Sequence, residues 1–436
     1  MLDEIGCDSI RDLFADIPPD LHIEPGSLNL PRAMSEAAIV RKFIVASEGN
    51  RHAGNTRYFL GGGTYHHFIP AAVDYVISRG EFLTAYTPYQ PEIAQGTLQA
   101  LFEFQTMIAR LTGMEIANAS MYEAATATAE AALMARRITR REKVVVAGSV
   151  NPRYRAVTRN YLSRLTGEII EVGAGGNLST NVDDITAKIN AESACVIVQY
   201  PDFYGGLFDL SPLRAACDRA GAMLVVAFSD ATAFGLINPP GAYGADIVVG
   251  SGQALGIPMG FGGPHLGLFA CKQKYLRQMP GRVCGMTTDV RGRRGFVLTL
   301  STREQHIRRE KATSNICTNQ GLMCTAAAVY MSLMGDAGLK TVAERSSSAL
   351  DRLLSGLPKD ISVAAGPHYN EAVLRFSDPS RRDRFLNAAS QQNMFAGIPL
   401  EKFEAGREPR HLLVSTTEMI EEKDVSDYLE ILEKSR

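Results

Sequence analysis

The sequence predicts an α/β protein in which a large domain with a mostly parallel sheet is followed by a smaller C-terminal α+β domain. Three apolar runs carry this prediction, at residues 144–146, 195–199 and 223–228, and each is continuous rather than alternating. Continuous apolar strands that alternate with helical segments are typical of a parallel sheet buried on both faces. Because crossovers between parallel strands are right-handed, helices then cover both faces in a doubly wound arrangement.

The other elements before residue 335 follow from apolar spacing and helix breakers. The first 55 residues, interrupted at Pro18 and Pro19, are expected to form short helices that wrap a larger body. From residue 93, apolar residues recur mostly every three or four positions up to Gly113, which predicts a helix ending there. Further predictions are a helix capped by Ser120 and running to Arg136, helices at 152–165 and 213–220, and strands at 168–172 and 246–249.

The pattern changes beyond residue 335, where the composition is typical of an α+β domain of about a hundred residues. The predicted elements are an amphipathic helix at 341–354, strand-like segments at 361–364 and 372–376, and further segments near 412–414 and 426–432. We therefore expect three parts: a wrapping segment at 1–55, a large domain at 56–335 and a small domain at 336–436.

Composition and charge exclude several classes of protein. Of the 436 residues, 45% are hydrophobic and 21% charged, and the formal net charge is −2. This balance is that of a globular chain, and it provides no electrostatic drive toward nucleic acid or an anionic membrane. No uninterrupted apolar run approaches the roughly 20 residues that span a bilayer, and no signal pattern is present. We expect a cytoplasmic protein.

Cysteine and histidine spacing indicates neither a disulfide framework nor a metal centre. The seven cysteines are scattered without a CxxC pair, which favours reduced thiols. His66 and His67 are adjacent, and no HExxH motif or Cys/His cluster occurs. No metal site is therefore expected.

Two polar residues are placed at predicted carboxyl ends of strands, where open parallel sheets bind ligands. Glu123 lies at the start of the helix after Ser120, so it puts a carboxylate where the free N–H groups would otherwise attract an anion. Asp230 follows the strand at 223–228, where an acid can hold a proton on a pyridine nitrogen. Both residues also have a common structural interpretation. Glu123 would complement the positive charge at the start of a helix, and Asp230 would be an acidic residue that ends a strand.

A glycine-rich stretch at 245–264 requires its backbone to pass close to a ligand or to another chain segment. Gly250-x-Gly252 is followed by Gly256, so the dinucleotide-binding fingerprint is not matched. No GxxxxGK[ST] or GxSxG motif occurs either, which leaves the common nucleotide-binding and hydrolase interpretations without their residues.

The stretch at 303–318 is cationic but mixes both signs of charge, so a solvated or interface helix is expected there. Its polar end, Thr313, Ser314 and Asn315, is suited to hydrogen bonds with an anion or a neighbouring chain.

Four long segments together resemble a known family. They are TAYTPYQPEIAQ at 84–95, ANASMYEAATATAE at 117–130, GAYGADIVVGSGQALGIPMGFGGP at 241–264 and REQHIRREKATSNICT at 303–318. They resemble the glycine-decarboxylating P-protein of the glycine cleavage system and, within it, the alpha chains (subunit 1) of the bacterial two-subunit form. Members usually carry about a dozen further residues before the position of Met1, so we expect this chain to be truncated or to start later.

The resemblance implies fold type I of pyridoxal-phosphate-dependent enzymes and a decarboxylating glycine dehydrogenase. In the family's catalytic half, a lysine four residues before an Ile-Pro forms the Schiff base. Anchored on Ile257 and Pro258, that position is Gln253 here, and a carboxamide cannot act as this nucleophile. Asp230, Gln253 and Glu123 are therefore expected to form a vestigial cofactor site, with no cofactor on this chain.

The family organisation further implies partners for this chain, which we expect to be inactive alone. Pyridoxal phosphate would be carried by a beta subunit, in a complex of two alpha and two beta chains. That complex would decarboxylate glycine and pass the aminomethyl group to the lipoyl arm of the H-protein. Residues of this chain that are candidates for completing the partner's pocket are Tyr65, His66, Tyr86, Thr87, Tyr89, Gln90, Thr313, Ser314 and Asn315.

Two alternatives remain open at this stage. The aromatic candidates are equally consistent with plain packing at a subunit interface, where tyrosine is enriched, and the chain would then be a non-catalytic scaffold or regulatory pseudoenzyme. A self-sufficient pyridoxal-phosphate enzyme would need an unrecognised lysine, since Lys272 and Lys274 follow the next apolar run and Lys311 lies in the expected interface helix.

Overall fold

The computed structural model describes residues 1–23, 26–174, 178–314 and 316–435, without the side chain of His306. These residues form two compact units, Met1–His52 and Ala53–Arg436. The first unit contains α1 (Leu2–Ile5) and α2 (Glu36–Glu48), in which no residue is buried. The short helices expected there are present, and their wrapping of a larger body stays a prediction.

The second unit contains the remaining helices and strands. Its helices are α3 (Ala71–Ile77), α4 (Gly80–Leu83), α5 (Gln95–Thr112), α6 (Ala124–Thr139), α7 (Pro152–Leu162), α8 (Val182–Thr186), α9 (Ser211–Ala220), α10 (Gln305–Arg308), α11 (Gly321–Ser355), α12 (Pro379–Gln391) and α13 (Glu422–Lys434). Its strands are β1 (Arg57–Tyr58), β2 (Ile116–Ala117), β3 (Lys143–Ala147), β4 (Ile169–Val172), β5 (Ser193–Gln199), β6 (Met223–Phe228), β7 (Ile247–Ser251), β8 (Gly267–Cys271), β9 (Val283–Thr288), β10 (Arg294–Thr299), β11 (Ile361–Val363), β12 (Glu371–Phe376), β13 (Met394–Phe395), β14 (Ile398–Pro399) and β15 (His411–Ser415).

The central sheet has the strand order β2-β8-β7-β6-β5-β3-β4 within the described residues. The pairs from β7 to β4 are parallel, and every residue of β5, β6 and β7 is buried. The mostly parallel α/β class is therefore confirmed. One strand of the sheet is reversed: β8 pairs antiparallel with both β7 and β2, so β2 again runs in the same direction as β7. A parallel return needs a long crossover, and residues 252–266 between β7 and β8 contain no helix to provide one.

Most predicted helices of the large domain are present with small shifts at their ends. The helix predicted to end at Gly113 is α5, and this glycine follows it at φ +68°, a conformation in which Cβ would be strained. Two predictions are wrong. Glu123, not Ser120, is the N-cap of α6, and Ser120 lies outside the helix at φ +102°. The single helix expected at 303–318 is reduced to the four-residue α10, because Arg309 turns the chain at φ +53°.

The small sheet has the order β11-β12-β15-β14 and is antiparallel throughout. Its core takes residues from the second half of α11, from α12 and from α13, and includes Leu350, Phe385 and Tyr428. The strands predicted near 361, 372 and 412 are thereby confirmed. The predicted division at 335/336 stays a prediction; it falls at Gly335, where α11 is interrupted by a non-helical φ of +56°.

Within the described residues, α11 meets the length and composition of a membrane-spanning helix. Half of that apolar window is buried within the protein, and its first half packs in the large core through Met323, Cys324 and Tyr330. An interior helix of a globular core has the same composition, so this match carries little weight on its own.

Candidate functional site

Asp230 lies just beyond the carboxyl end of β6 and is held by four donors. Its Oδ1 accepts hydrogen bonds from the backbone N–H and the hydroxyl of Thr232, at 2.9 and 2.6 Å. Its Oδ2 accepts from the Nδ2 of Asn370 at 2.7 Å and lies 3.1 Å from the Nε2 of His67. Because the side chain is 3% exposed, all of these contacts are made out of water.

His67 connects two buried carboxylates. Its Nε2 faces Asp230, and its Nδ1 lies 2.7 Å from the Oε2 of Glu418. Burial by itself would lower the pKa of His67, but the two carboxylates outweigh burial and raise it well above its ordinary value. Burial would likewise raise the pKa of Asp230, and the neighbouring His67 and Thr232 lower it instead. Asp230 is therefore a carboxylate already paired with a cation of its own chain.

Gln253 follows the end of β7 and is 3% exposed. Its Oε1 accepts from the backbone N–H of Tyr65 at 2.8 Å, while its Nε2 donates to the carbonyls of Tyr65 and Ile257 at 3.0 and 2.8 Å. Both amide hydrogens are thus used, and the glycine-rich segments near 61–65 and 250–257 are joined through this one side chain.

Beside Gln253, the hydroxyl of Tyr65 donates to the Oε2 of Glu371 at 2.7 Å, and the backbone N–H of Gly62 donates to its Oε1 at 2.6 Å. Burial raises the pKa of Glu371 to about 7, although these two hydrogen bonds lower it in part. The pKa of Tyr65 is raised by burial and by Glu371, so the phenol stays protonated as a donor.

Glu123 occupies the N-terminus of α6. Its side chain accepts hydrogen bonds from the backbone N–H groups of Ala125 and Thr126, the latter at 2.6 Å. These are the groups that would otherwise be free to bind an anion at this helix end. The carboxylate satisfies them from within the chain.

A second group of predicted residues lies on a loop at 84–90. Tyr86 is 79% exposed, Tyr89 and Gln90 are exposed, and the hydroxyl of Thr87 shares a hydrogen bond of 3.3 Å with that of Thr318. A cavity of about 180 Å³ lies against this loop, lined in part by Tyr86, Thr87, Thr318 and Asn319. The structure thus places polar and aromatic groups around an accessible hollow.

Comparison with known proteins gives the family. Residues 1–432 match the family model described as the glycine cleavage system P-protein. The chain belongs to that family. A protein of Sphingopyxis alaskensis named probable glycine dehydrogenase (decarboxylating) subunit 1 is 46% identical over 440 residues, covering 100% of this chain and 96% of that protein. A protein of the same name from Rhodospirillum rubrum is 50% identical over 409 residues, covering 92% of this chain and 89% of that one.

Solved structures agree with this family. The crystal structure of glycine decarboxylase, the P-protein of the glycine cleavage system, in inhibitor-bound form matches at a TM-score of 0.90 with 41% identity, covering 100% of this chain and 97% of that one. A sphingosine-1-phosphate lyase of Burkholderia pseudomallei matches at a TM-score of 0.67 with 13% identity, covering 95% and 92%, which shows the fold alone. The predicted P-protein resemblance and the pyridoxal-phosphate fold type I class are confirmed.

The other predicted pocket residues of this P-protein chain lie in different surroundings. Tyr65 is buried beside Gln253 and not on the exposed loop with Tyr86. His66 is half-buried and lines a separate cavity of about 390 Å³ near Tyr58, and burial lowers its pKa. The pocket roles of both stay predictions.

The polar end of the 303–318 stretch makes contacts within the chain. The backbone N–H of Thr313 donates to the carbonyl of Arg303 at 3.0 Å, and the hydroxyl of Ser314 donates to Glu130 at 2.7 Å. Asn315 lies outside the described residues. Over the parts of the chain that are described, no group of three or more His, Cys, Asp or Glu residues is arranged to hold a metal ion.

Sequence reasoning missed most of the partners in the buried network of this P-protein chain. These partners lie up to about 350 residues apart in the chain, so no short sequence pattern could have connected them. They are His67, Glu418, Asn370 and Glu371. The one available signal was His67 itself. It follows a glycine-rich turn beside an apolar segment, and a buried histidine needs polar partners.

Proposed function

We propose that this chain is subunit 1, the alpha chain, of a two-subunit decarboxylating glycine dehydrogenase in the cytoplasm. It works with a second subunit that carries pyridoxal phosphate, and the complex decarboxylates glycine and transfers the aminomethyl group to the lipoyl arm of the H-protein. The names of relatives that are 46% and 50% identical support the first part, because each is called subunit 1. The division of labour between the chains is supported by the buried site.

The observation that carries this proposal is the side chain of Gln253. It stands where the resemblance puts the family's lysine, and its three hydrogen bonds to Tyr65 and Ile257 use both of its amide hydrogens. A carboxamide is no nucleophile for an aldehyde and cannot form an internal aldimine. Covalent attachment of the cofactor at this position is therefore excluded by chemistry.

The rest of the site does not fit pyridoxal phosphate either. The N–H groups of α6 that would receive a phosphate are already bonded to the carboxylate of Glu123. Asp230, which would face the pyridine nitrogen, is bonded to His67 and Asn370. Both of these recognition elements are thus satisfied within the chain, which supports placing the cofactor on the partner.

What the chain supplies to the complex is the loop at 84–90 together with residues 316–318. Tyr86 extends into solvent, and Thr87 and Thr318 present hydroxyls beside a hollow of about 180 Å³. Hydroxyl groups of this kind bind a carboxylate, and an aromatic ring such as that of Tyr86 would exclude water once the partner chain covers it. A carboxylate that leaves as neutral carbon dioxide loses its hydration, so a dry pocket favours that step.

The first experiment tests the assignment of the cofactor to the partner. Purified chain is mixed with pyridoxal phosphate, alone and with the second subunit, unbound cofactor is removed by gel filtration, and absorbance is read at about 400 nm, where a Schiff base absorbs. We expect the band only with the second subunit, and release of carbon dioxide from glycine only with both chains. A band that borohydride removes from the isolated chain would overturn the proposal.

The second experiment separates a working subunit from a scaffold. Tyr86→Ala and Tyr86→Phe are assembled with the second subunit, and Tyr161→Phe on α7 serves as the control. We expect Tyr86→Ala to lower turnover while assembly and the partner's absorbance band persist. Unchanged turnover in both Tyr86 variants would show that the chain is a scaffold only.

A further inference from the structure

We infer that Arg282 is a positioning residue that holds the 84–90 loop and the 316–318 segment in one arrangement. This inference rests on the proposed function, since it assigns a residue that shapes the same pocket. Arg282 directly precedes β9 and is 3% exposed, so its guanidinium acts out of competition with water.

The guanidinium of Arg282 binds both segments at once. Its Nη2 donates to the hydroxyl of Tyr89 at 2.8 Å and to the carbonyl of Cys317 at 2.7 Å, and its Nη1 donates to the hydroxyl of Thr318 at 3.2 Å. Its Cζ lies 5.2 Å from the ring centre of Tyr89, in cation–π contact, and its Nε lies 3.5 Å from the Oε2 of Glu304. The acceptors lie on three separate stretches of chain.

The backbone of Arg282 is itself tied to the central sheet. Its carbonyl accepts from the N–H of Ala119 at 2.8 Å, just after β2. The 316–320 segment reaches the same region, because Asn319 donates to the carbonyl of Ala119 at 2.8 Å and the hydroxyl of Ser120 accepts from the N–H of Gln320 at 3.0 Å. Ser120 is held at φ +102°, a conformation that costs energy and persists only where its surroundings determine it.

Arg282 affects the pocket because the residue it contacts, Tyr89, is close in sequence to the pocket residues Tyr86 and Thr87. Tyr86 and Thr87 lie within three residues of Tyr89, in a loop without regular secondary structure from 85 to 90. The contact of Tyr89 with Arg282 and the Thr87–Thr318 hydrogen bond are the two described links between this loop and the 316–318 segment. Loss of the guanidinium removes one of these links, so we expect the hollow to become less well defined.

Arginine is required here rather than any cation. A planar guanidinium donates in fixed directions to several acceptors, whereas a lysine ammonium is a point charge on a flexible chain. Arg282→Lys keeps the positive charge and loses the planar set of donors, so it tests the geometry of these hydrogen bonds separately from the charge.

The first test uses the isolated chain and needs no partner. The sequence contains no tryptophan, so Tyr86→Trp introduces a single indole that reports on the loop. In this background we expect Arg282→Ala to lower the fluorescence anisotropy of the indole, and Arg282→Lys to lower it less. The control is Arg382→Ala in the small domain, since Arg382 is equally buried and ion-paired with Glu401; it should leave the anisotropy unchanged.

The second test uses the complex with the partner subunit. We expect Arg282→Ala to lower kcat about tenfold or more, because small misplacements of pocket groups carry costs of that order, with assembly and the partner's cofactor band intact. Tyr89→Phe, which removes only the hydroxyl acceptor, should shift anisotropy and kcat in the same direction to a smaller extent. If Arg282→Ala fails to fold, Arg282→Lys and Tyr89→Phe decide the matter.

Unchanged anisotropy and kcat in folded Arg282 variants would overturn this inference, and so would an equal effect of Arg382→Ala. Failure of the proposed function has a different signature. In that case the unsubstituted complex releases no carbon dioxide from glycine, while the anisotropy of the isolated chain still reports on the loop.

Discussion

The side chain of Gln253 pairs with the backbone of Tyr65 much as a neighbouring strand would. Its Oε1 accepts from the N–H of Tyr65 at 2.8 Å, and its Nε2 donates to the carbonyl of the same residue at 3.0 Å. The two residues are 188 positions apart in the chain. A position expected to carry reactive chemistry in the family's catalytic half therefore serves as a structural cross-link in this one.

This pairing predicts that Gln253→Glu is destabilising despite its nearly identical shape. A carboxylate oxygen would replace the amide nitrogen and face the carbonyls of Tyr65 and Ile257, leaving both acceptors buried without a donor. We expect a loss of about 2–3 kcal/mol in the free energy of unfolding, measured by urea denaturation. Gln90→Glu on the exposed loop should change it by less than about 0.5 kcal/mol. Equal effects of the two substitutions would contradict the cross-link.

The contact between His67 and the carboxylates of Asp230 and Glu418 predicts a second effect on stability. His67→Ala would leave two buried carboxylates without their cation, and we expect a loss of about 3–5 kcal/mol, measured by denaturation. Adding Glu418→Gln should recover part of this loss, because one of the two charges is removed.

The neighbouring His66 is the matched control for this prediction. It is half-buried and its ring packs edge-on to Tyr58 with centroids 6.0 Å apart, so His66→Ala should cost less than about 1 kcal/mol. If His67→Ala lowers the free energy of unfolding no more than His66→Ala does, the contacts of His67 with Asp230 and Glu418 contribute no net stability.

The buried carboxyl of Glu371 predicts a dependence of stability on pH. Burial raises its pKa to about 7 from an ordinary 4.5, so the folded state binds this proton more tightly than the unfolded chain does. Its contribution to stability is complete below pH 4.5, declines as the pH rises toward 7 and is lost above that. Glu371→Gln removes the ionisation, so the variant should gain about 3 kcal/mol relative to the parent between pH 4.5 and 7.

The measurement for Glu371 is the denaturation midpoint across pH 4 to pH 8 for parent and variant. Exposed Glu192→Gln provides the baseline, and its difference from the parent should stay flat over this range. A parent–Glu371→Gln difference that is also flat would mean that Glu371 ionises normally in the folded protein.

The cap formed by Glu123 predicts a smaller, local effect. Glu123→Ala would leave the N–H groups of Ala125 and Thr126 without their acceptor, and we expect a loss of about 1 kcal/mol in the free energy of unfolding. Glu123→Gln keeps one acceptor oxygen and should lose about half as much. Thermal denaturation, with exposed Glu192→Ala as the reference, checks this order; an unaffected Glu123→Ala variant would show that water or another group satisfies the helix end.

Much of the scaffold was predictable because it depends on local patterns. The continuous apolar runs that became β3, β5 and β6 are recognisable within a few residues, and so is the periodic helix ending at Gly113. The reversed direction of β8 was not predictable, because it depends on where the chain returns to the sheet after residues 252–266. The cap of α6 was misplaced by three residues because both Ser120 and Glu123 have side chains that can accept from a helix end.

By itself, the sequence determined the α/β class, the membership of the P-protein family and the replacement of a nucleophilic amine by the carboxamide of Gln253. These depend on residue identity and short-range order, which are explicit in the chain. Only the tertiary structure decided which side chains meet. His67 contacts both Asp230 and Glu418. Gln253 is hydrogen-bonded to the backbone of Tyr65, and Arg282 donates to the hydroxyl of Tyr89. The physical reason is that these groups come from distant segments of the chain. Folding decides which of these segments are buried against each other, and this determines the charge states and hydrogen bonds of the groups.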